Sequence, residues 1–358
     1  MSAASAGESV STMRKVLIRI VFDQFWVAQA TDNELHVGVG WLILVWMVVA
    51  IGSVAVLWQK TRSSNGVAMS LAMWAVIPAA LLLIHATNIP LARSGIPVFG
   101  YGFMMVVGFL TATLLAAHHT KHIGMDPNVI WDLMMWLLIP GLIGARTFYV
   151  FQYSDRVFDG VPGQSPLVSI LSLWDGGLVF YGSVIGGALG GWIFCWHRRI
   201  CPLLLGDVVA PSLFLGLGFG RIGCFLYGCC YGGACELPWA VRFPPDSLTY
   251  QAQLQEGVIQ RGALSTTPLH PTQIYSSLLA FALAGTLVWF FRKRRFDGFV
   301  VGMMFTLYPI NRFILELIRN DETGQLGTSL TISQLISIAF FISGTTLLVR
   351  LSKKSVPP

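Results

Sequence analysis

An arginine lies inside an apolar, glycine-rich stretch, GLGFGRIGCFLYGCCYGG, which runs from Gly216 to Gly233. Because a guanidinium keeps its charge at any accessible pH, Arg221 needs an anion, backbone carbonyls or a water-filled cavity if this stretch crosses a membrane. The glycines around it let a second helix or a ligand approach the backbone. The stretch therefore predicts an anion-binding site. The alternative is a helix-packing face whose arginine forms a buried structural ion pair.

Further polar side chains lie near the ends of other apolar segments. The predicted chain directions place them at one depth, in the outer half of a bilayer, and they are Tyr101, Arg146, Tyr181, His270, Gln273, Tyr275, Arg312, Glu316 and Arg319. Glu316 follows Arg312 by four residues, so both lie on one face of the predicted helix. Because the arginines outnumber this carboxylate, we expect a positively charged cavity that suits the phosphate of a phospholipid headgroup.

The composition indicates the class of protein that positions these groups. Of the 358 residues, 54% are hydrophobic and 11% are charged, and the mean hydropathy is +0.67. Several apolar runs exceed the ~18 residues that are typical of a transmembrane helix. These values exclude an ordinary soluble domain and predict an all-α polytopic membrane protein. The net charge of +6 does not indicate nucleic-acid binding, because the basic residues lie in short loops between apolar runs.

The apolar segments predict about nine transmembrane helices, which are 38–57, 67–87, 97–118, 129–151, 177–197, 207–228, 272–291, 299–318 and 329–350. Seven of them form a core in residues 95–358, and two belong to an N-terminal region, residues 1–94. Residues 1–30 predict an interfacial helix rather than a signal peptide, because Asp23 and Gln24 interrupt the apolar run and no small-residue cleavage site follows. A short additional span is the alternative there.

The distribution of lysine and arginine predicts the orientation in the membrane. Alternate connections and the C-terminal tail carry 12 basic residues, which by the positive-inside rule mark the cytoplasmic side. The N-terminus is then outside, the C-terminus is cytoplasmic, and the longest connection, residues 229–271, faces outside. The basic residues of the N-terminal tail oppose this orientation.

Six sequence blocks resemble the prolipoprotein diacylglyceryl transferase family, in the family's order. GRIGCFLYGCCYG resembles the signature segment, and the other five are YGFMMVVGF from Tyr101, GARTFYVF from Gly144, SLWDGGLVFYG from Ser172, HPTQIYSSLL from His270 and YPINRFILELIRND from Tyr308. The resemblance covers about residues 95–350. The N-terminal region lies outside it.

The resemblance implies transfer of a diacylglyceryl group from phosphatidylglycerol to the lipobox cysteine of a prolipoprotein signal peptide. The reaction would take place at the outer face of the bacterial inner membrane, with no cofactor, no metal and no nucleic-acid partner. The resemblance implies catalytic roles for Arg221 and Arg312 on the phosphate, with Tyr181 and His270 as further candidates. The substrate-binding residues that it implies are Tyr101, Arg146, Gly176, Gly177, Cys224, Gly232, Gln273, Tyr275, Glu316 and Arg319.

The chain departs from the family pattern at three positions in two of these blocks. Tyr181 stands where many members have histidine, and a phenol with an ordinary pKa near 10 is a poor base at neutral pH. Either His270 or the positive field of the arginines would then activate the acceptor thiol. Cys224 replaces the signature asparagine and Cys229 replaces an acidic residue. Both changes remove hydrogen-bonding groups, so the donor lipid stays open.

Four cysteines lie close together in the sequence as C-x4-C-C-x4-C, at the predicted outer end of a span, and they are Cys224, Cys229, Cys230 and Cys235. Three interpretations stay open: structural disulfides, a metal site without the usual C-x2-C spacing, and thiol or acyl chemistry. The histidines His118, His119 and His122 also resemble a metal cluster, but their position in a predicted cytoplasmic loop favours a solvated basic turn.

Two other functions compete with diacylglyceryl transfer. One is a transporter or lipid-binding protein that keeps the arginine cavity, and the other is a thiol–disulfide membrane enzyme built on the cysteines. The sequence motifs of serine hydrolases, P-loop proteins and zinc peptidases are absent from the chain. The glycines between Gly182 and Gly191 predict close helix packing.

Overall fold

The computed structural model describes residues 16–22, 25–31, 34–61, 75–76, 78–83, 85–86, 96–158, 166–171, 177–319 and 330–355. The chain divides into two compact units. The first unit comprises Met1–Val106 and Gly220–Ile274, and the second comprises Val107–Phe219 and Tyr275–Pro358. The predicted boundary between residues 94 and 95 stays a prediction.

Four strands form a mixed sheet in the first unit, in the order β2-β3-β1-β4. They are β1 (Val16–Val21), β2 (Ala28–Thr31), β3 (Glu34–Gly38) and β4 (Ile96–Phe99). Strand β1 runs parallel to β3 and antiparallel to β4, and β2 pairs antiparallel with β3. Buried Phe22, Val39 and Ile43 form a small core beside this sheet.

This sheet corrects the interfacial helix that the sequence predicts at residues 1–30. The described part of that segment forms β1 and β2 instead. The VLIRIV segment is rich in β-branched residues, which favour strands over helices. Arg19 on β1 pairs with Glu34 on β3, with 2.6 Å between Arg19 Nε and Glu34 Oε2. This hydrogen bond holds the pKa of Glu34 below its ordinary value.

The other regular elements of the described chain are helices, as the composition predicts. The helices are α1 (Val39–Thr61), α2 (Gly100–His122), α3 (Asn128–Gln152), α4 (Ser154–Phe158), α5 (Pro166–Leu171), α6 (Phe180–Arg198), α7 (Pro202–Tyr227), α8 (Leu248–Gln255), α9 (Thr272–Arg292), α10 (Phe299–Glu316) and α11 (Ile332–Ser355). Residues 75–76, 78–83 and 85–86 are also helical.

Six of these helices are long and apolar enough to cross a membrane, namely α2, α3, α7, α9, α10 and α11. Helix α1 has a shorter apolar part, Val39–Val54. Helix α6 covers a predicted span but carries five glycines and ends in His197 and Arg198, which make it less apolar. The predicted span at 67–87 falls largely outside the described residues. The chain is therefore a multi-pass membrane protein, and the count of nine spans stays a prediction.

Glycines hold α3 and α6 together at very short range in the second unit. A Cβ at Gly182 would overlap the carbonyl oxygen of Gly144, and one at Gly186 would overlap that of Pro140. A Cβ at Gly190 would likewise overlap the carbonyl oxygen of Trp136. Small residues at a spacing of four give two helix backbones this close approach in membranes. The predicted packing role of these glycines is confirmed.

A buried carboxylate on α7 caps the N-terminus of α10. Asp207 accepts hydrogen bonds from the backbone nitrogens of Gly298, at 2.8 Å, and Val301, at 2.9 Å. Gly298 directly precedes α10 and Val301 lies in its first turn, where backbone donors have no partner within the helix. Asp207 is fully buried, so it acts as an N-cap supplied from a distant part of the sequence.

Candidate active site

Arg221 lies near the C-terminal end of α7 and is half-buried. Among the residues that the structure describes, no carboxylate lies within ion-pair distance of its guanidinium. The alternative of a structural ion pair therefore finds no support within this part of the chain. Cys224 follows Arg221 by three residues and lies on the same face of α7.

The first turn of α2 packs directly against this end of α7. A Cβ at Gly223 would lie 3.1 Å from Tyr101 Cδ2 and 3.4 Å from Tyr101 Cα. Gly220 faces Met105 at the ordinary contact distance of 3.7 Å. Glycine at position 223 leaves room for the Tyr101 side chain. The start of α2, which carries Tyr101, therefore adjoins the end of α7, which carries Arg221. The Tyr101 side chain is 41% exposed and is thus accessible to a ligand.

Three cysteine thiols meet beyond the end of α7. The sulfurs of Cys224, Cys229 and Cys230 all lie within 4.8 Å of one another, and the three residues are half-buried. None of the three is joined to another cysteine by a disulfide. Contacts with the side chains of Cys224 and Cys230, together with burial, raise the pKa of the Cys229 thiol far above its ordinary value. Disulfides, the first interpretation of the cysteine pattern, are not formed in this structure.

Residues at the start of α9 hold the loop that carries two of these cysteines. Gln273 Nε2 donates to the carbonyl oxygen of Cys229 at 2.7 Å, and Thr272 Oγ1 donates to that of Cys230 at 2.9 Å. The backbone nitrogen of Gly232 donates to the carbonyl oxygen of His270 at 3.1 Å. A Cβ at Gly232 would lie 2.6 Å from Thr272 Cγ2, so this glycine permits close packing of the loop.

Arg312 and Glu316 form an ion pair in the second unit. Arg312 Nη2 lies 2.8 Å from Glu316 Oε2, and the same nitrogen donates to Ser333 Oγ at 2.9 Å. The Glu316 side chain is 1% exposed, whereas that of Arg312 is 22% exposed. Thr331 Oγ1 donates to Glu316 Oε1 at 3.2 Å. Glu316 and Ser333 therefore fix the Arg312 guanidinium, while part of the Arg312 side chain stays accessible.

Arg146 has a different environment. Its guanidinium donates to three backbone carbonyl oxygens, with Nη2 2.6 Å from Ser169, Nε 2.8 Å from Ile170 and Nη1 3.0 Å from Gly177. Gly177 has a positive φ of 75°, and a Cβ there would lie 2.6 Å from the Tyr149 ring. The space beside Gly177 is thus filled by protein, and Arg146 clamps a chain segment together.

The other predicted site residues occupy more open or less defined positions. Tyr181 begins α6 and is 57% exposed. Tyr275, in the first turn of α9, and Arg319, just beyond α10, are half-buried. The backbone nitrogen of Arg319 donates to the Glu316 carbonyl oxygen at 3.2 Å. Gly176 lies outside the described residues.

Comparison with known proteins adds a second line of evidence. The family model for prolipoprotein diacylglyceryl transferase matches residues 90–350. The chain belongs to this family. It is 34% identical over 250 residues to the phosphatidylglycerol–prolipoprotein diacylglyceryl transferase of Clostridium tetani. The aligned region covers 70% of this chain and 92% of that protein.

Two further relatives carry the same name. The second transferase of Clostridium perfringens is 36% identical over 253 residues, covering 71% of this chain and 91% of that protein. The transferase of Rhodopirellula baltica is 28% identical over 424 aligned positions, which cover 87% of this chain and 86% of that protein. The family resemblance that the six sequence blocks predict is confirmed.

In this diacylglyceryl transferase family member, sequence reasoning missed the residues that support the Arg312–Glu316 pair. Thr331 and Gln334 bond each other's backbone nitrogens, from Thr331 N to Gln334 Oε1 at 3.1 Å and from Gln334 N to Thr331 Oγ1 at 3.2 Å. This reciprocal capping box begins α11. Its T-x-x-Q signature, which precedes an apolar run, predicts the same cap from the sequence alone.

Proposed function

We infer that this chain transfers a diacylglyceryl group from phosphatidylglycerol to a prolipoprotein within a membrane. The family match over residues 90–350 carries this conclusion, and it does not favour the transport or thiol-enzyme alternatives. The half-buried Arg221, which has no carboxylate partner among the described residues, gives the conclusion its chemical basis. Three relatives that bear the name of this transferase match most of the chain.

The reaction forms a carbon–sulfur bond and breaks a carbon–oxygen bond. The acceptor thiol must lose its proton, because the thiolate is the nucleophile. As the bond to oxygen breaks, the electron pair moves to the phosphate, and glycerol phosphate leaves. A fixed cation near that oxygen stabilises the charge that develops in the transition state. We assign this role to Arg221, with Tyr101 beside it at the headgroup.

The family resemblance implies that Arg312 also binds a phosphate oxygen, and we propose that Glu316 acts as its positioning residue. The buried carboxylate lies one helical turn from Arg312 and fixes one edge of the guanidinium. The partly exposed remainder is suited to a phosphate oxygen. Arg146, by contrast, donates to the carbonyls of Ser169, Ile170 and Gly177, so we propose that it fixes α5 and Gly177 and does not bind the headgroup.

The remaining residues keep the roles that the family resemblance implies. Tyr181 and His270 are candidates for the proton acceptor, and Gln273, Tyr275, Arg319 and Gly232 are candidates for binding. The resemblance also implies binding roles for Cys224, Gly176 and Gly177, although protein atoms fill the space beside Gly177. Gln273 also fixes the loop after α7 through its bond to Cys229.

We further propose that the acceptor is the lipobox cysteine of the signal peptide and that transfer takes place at the outer face of the inner membrane. Lysine and arginine concentrate in alternate loops and in the C-terminal tail, and this distribution supports a cytoplasmic C-terminus and an N-terminus outside. The end of α7 that carries Arg221 then faces outward. Reporter tags at the two termini test this orientation directly.

Complementation of a bacterium depleted of its own transferase tests the function. The wild-type chain should restore the mass increase of a lipoprotein precursor that corresponds to one diacylglyceryl group. Arg221→Ala should reduce transfer on the order of 10²–10³-fold, because a fixed donor to the developing negative charge is lost. Arg221→Lys keeps a point charge without the two-pronged geometry, so it should retain part of the activity.

Arg261→Ala is the matched control, because Arg261 is exposed in the loop between α8 and α9. It should transfer at the wild-type rate. Unchanged transfer by Arg221→Ala would refute the assigned role. A wild-type chain that binds phosphatidylglycerol in detergent but never changes the precursor's mass would indicate a lipid-binding protein instead.

A further inference from the structure

The three cysteines beyond α7 form a site that diacylglyceryl transfer by the arginines leaves unexplained. Cys224 lies in the last turn of α7, and Cys229 and Cys230 follow it in the next loop. Each offers one sulfur, and the three sulfurs lie within 4.8 Å of one another. Cys235, the fourth cysteine of the sequence pattern, does not belong to this group. We define Cys224, Cys229 and Cys230 as the thiol cluster.

The backbone around the thiol cluster is fixed in an uncommon conformation. Cys230 has a φ of 59°, in the left-handed region that residues other than glycine rarely adopt, and Gly228 has a φ of 72°. Thr249 Oγ1 holds the carbonyl oxygen of Gly228 at 2.8 Å. With the bonds from Thr272 and Gln273, three consecutive carbonyls of this loop are tied down. Such a turn brings Cys229 and Cys230 back toward Cys224.

Gln273 provides a second observation at the same place. Its Nε2 donates to the carbonyl oxygen of Cys229, and its side chain is almost wholly buried. The Oε1 atom of the same amide is buried without a hydrogen-bond partner among the described residues. A buried acceptor of this kind is costly unless a donor meets it. A water molecule bound at the cluster supplies such a donor.

The arrangement of sulfurs fits a metal better than a disulfide. A disulfide would join two of the three thiols and leave the third unpaired. Zinc binds thiolates at about 2.3 Å in a tetrahedron, whose edges between sulfurs are about 3.8 Å. The sulfurs of the cluster therefore need to approach by at most about 1 Å to reach that geometry. Three protein ligands leave the fourth position open, as in catalytic zinc sites.

We propose that Cys224, Cys229 and Cys230 bind one Zn²⁺ ion and that the open fourth position takes the acceptor thiol of the prolipoprotein. This proposal rests on the function proposed above. Three thiolates and one Zn²⁺ carry a net charge of −1. Arg221, one turn before Cys224 on α7, balances that charge and stands beside the phosphate of the donor.

The reaction step balances without a redox partner. The acceptor thiol releases its proton to solvent as its sulfur binds the metal, because a coordinated thiol is deprotonated. That sulfur attacks the glyceryl carbon that is bonded to the phosphate oxygen. A carbon–sulfur bond forms, the carbon–oxygen bond breaks, and the electron pair leaves with glycerol phosphate. The ion keeps its charge throughout, and no separate general base is required.

Metal binding is tested on the full chain purified in detergent with a reductant. Co²⁺ serves as the probe, because thiolate ligands give it a charge-transfer absorption band in the near ultraviolet. We expect one equivalent of Co²⁺ with this band, displaced by one equivalent of Zn²⁺. Each of Cys224→Ser, Cys229→Ser and Cys230→Ser should lose the band, whereas Cys235→Ser should keep it.

A further variant separates loss of metal from loss of folding. Cys224→His keeps a zinc ligand at that position, so it should still bind one Co²⁺ with a weaker thiolate band. Equal metal binding by the wild type and the triple serine variant would overturn the proposal. A disulfide between two cluster cysteines in protein that was purified without reductant and holds no metal would overturn it too.

Transfer measurements distinguish this proposal from the function on which it rests. Removal of the metal with a chelator should slow transfer on the order of 10²-fold, and added Zn²⁺ should restore it, since activation of the thiol is lost. Transfer that continues unchanged without metal would overturn the zinc proposal and leave the transferase function intact. One bound metal with no transfer under any condition would instead overturn the transferase function.

Discussion

Glu316 lies one helical turn beyond Arg312 on α10, with its carboxylate 2.8 Å from the guanidinium and almost completely buried. Thr331 donates a further hydrogen bond to the carboxylate from the start of α11. Arg312 is thus held on a buried anion while part of its side chain stays accessible. Because Glu316 is buried and Arg312 is partly accessible, we expect different effects when each is replaced.

Replacement of Arg312 should destabilise the protein as well as abolish transfer. Arg312→Ala leaves the Glu316 carboxylate buried without its cation, which should cost about 3–5 kcal/mol. The double variant Arg312→Ala, Glu316→Gln removes that charge and should regain much of the lost stability, while transfer stays lost. Thermal unfolding in detergent and precursor mass measure the two effects. If Arg312→Ala and the double variant are equally stable, the Glu316 carboxylate is not destabilised by the loss of its cation.

Glu316→Gln alone tests the positioning role. The variant keeps the cation of Arg312 but removes the charge that fixes it, so the guanidinium should shift. A displacement of about 1 Å in a catalytic group can cost on the order of 10²-fold in rate. We expect a loss of that size in transfer and little change in the affinity for phosphatidylglycerol. A variant that transfers at the wild-type rate would show that Ser333 alone positions Arg312.

Several features of this structure are predictable from the sequence because their signals are local. Residues four apart lie on one face of a helix. The spacing of Arg312 and Glu316 and that of the glycines in α6 therefore predict their contacts. The six family blocks indicate the reaction class in the same way. Arg221 is conspicuous because a charge within an apolar run has few explanations.

Other features depend on contacts between distant segments and leave no local signal. The apolar run VLIRIV is too short to distinguish strand from helix by its period, so the sequence does not predict strand β1 or the sheet around it. Arg146 contacts carbonyls 23–31 residues away, and its sequence block does not reveal them. The meeting of three sulfurs depends on the left-handed turn at Gly228 and Cys230, which the C-x4-C-C spacing does not encode.

Arg146 should fix helix α5 and Gly177 in place through its three hydrogen bonds. Both Arg146→Ala and Arg146→Lys should increase hydrogen exchange in residues 166–171 and 177–179, because a lysine cannot donate to three separate carbonyls in the geometry of a guanidinium. If Arg146 bound the phosphate instead, lysine would preserve much of the function, and residues 166–171 and 177–179 would keep their protection from exchange. Arg261→Lys, at an exposed position, is the control and should leave this exchange unchanged.

The packing of α3 on α6 predicts a sharp difference between two adjacent glycines. A Cβ at Gly186 would overlap the Pro140 carbonyl and lie 3.2 Å from Gly144 Cα, so Gly186→Ala should destabilise the protein by about 1–3 kcal/mol. At Gly187 the nearest atom is Leu137 O at 3.8 Å, and Gly187→Ala should be neutral. Thermal unfolding of the two variants in one detergent compares them directly. Similar losses for both would mean that the helices do not meet at Gly186.

The cap that Asp207 provides for α10 should be worth a measurable free energy. An asparagine has only one acceptor oxygen, so Asp207→Asn leaves the backbone nitrogen of Gly298 or Val301 without its partner. We expect a loss of about 1–3 kcal/mol in the free energy of unfolding. Asp132→Asn is a suitable control, because Asp132 pairs with Arg198 where both side chains are about half exposed. That change should cost at most about 1 kcal/mol.

The ion pair between Arg19 and Glu34 predicts how the N-terminal sheet responds to acid. Its hydrogen bond lowers the pKa of Glu34, so the folded sheet favours the charged form. The stabilisation is therefore fully present above the ordinary glutamate pKa of about 4.3 and is lost as the pH falls through the lower value of the folded state. Amide exchange of residues 16–21, corrected for the intrinsic effect of pH, should show protection falling in that window.

Glu34→Gln should remove this acid dependence, because the amide cannot titrate. Protection of β1 in the variant should already be lower at neutral pH and should change little on acidification. His36 lies 3.8 Å from the same carboxylate, so His36→Gln is measured alongside it. If acid weakens β1 equally in wild type and Glu34→Gln, then another group controls the response. Loss of the dependence in Glu34→Gln, and its persistence in His36→Gln, would assign it to the Arg19–Glu34 bond between β1 and β3.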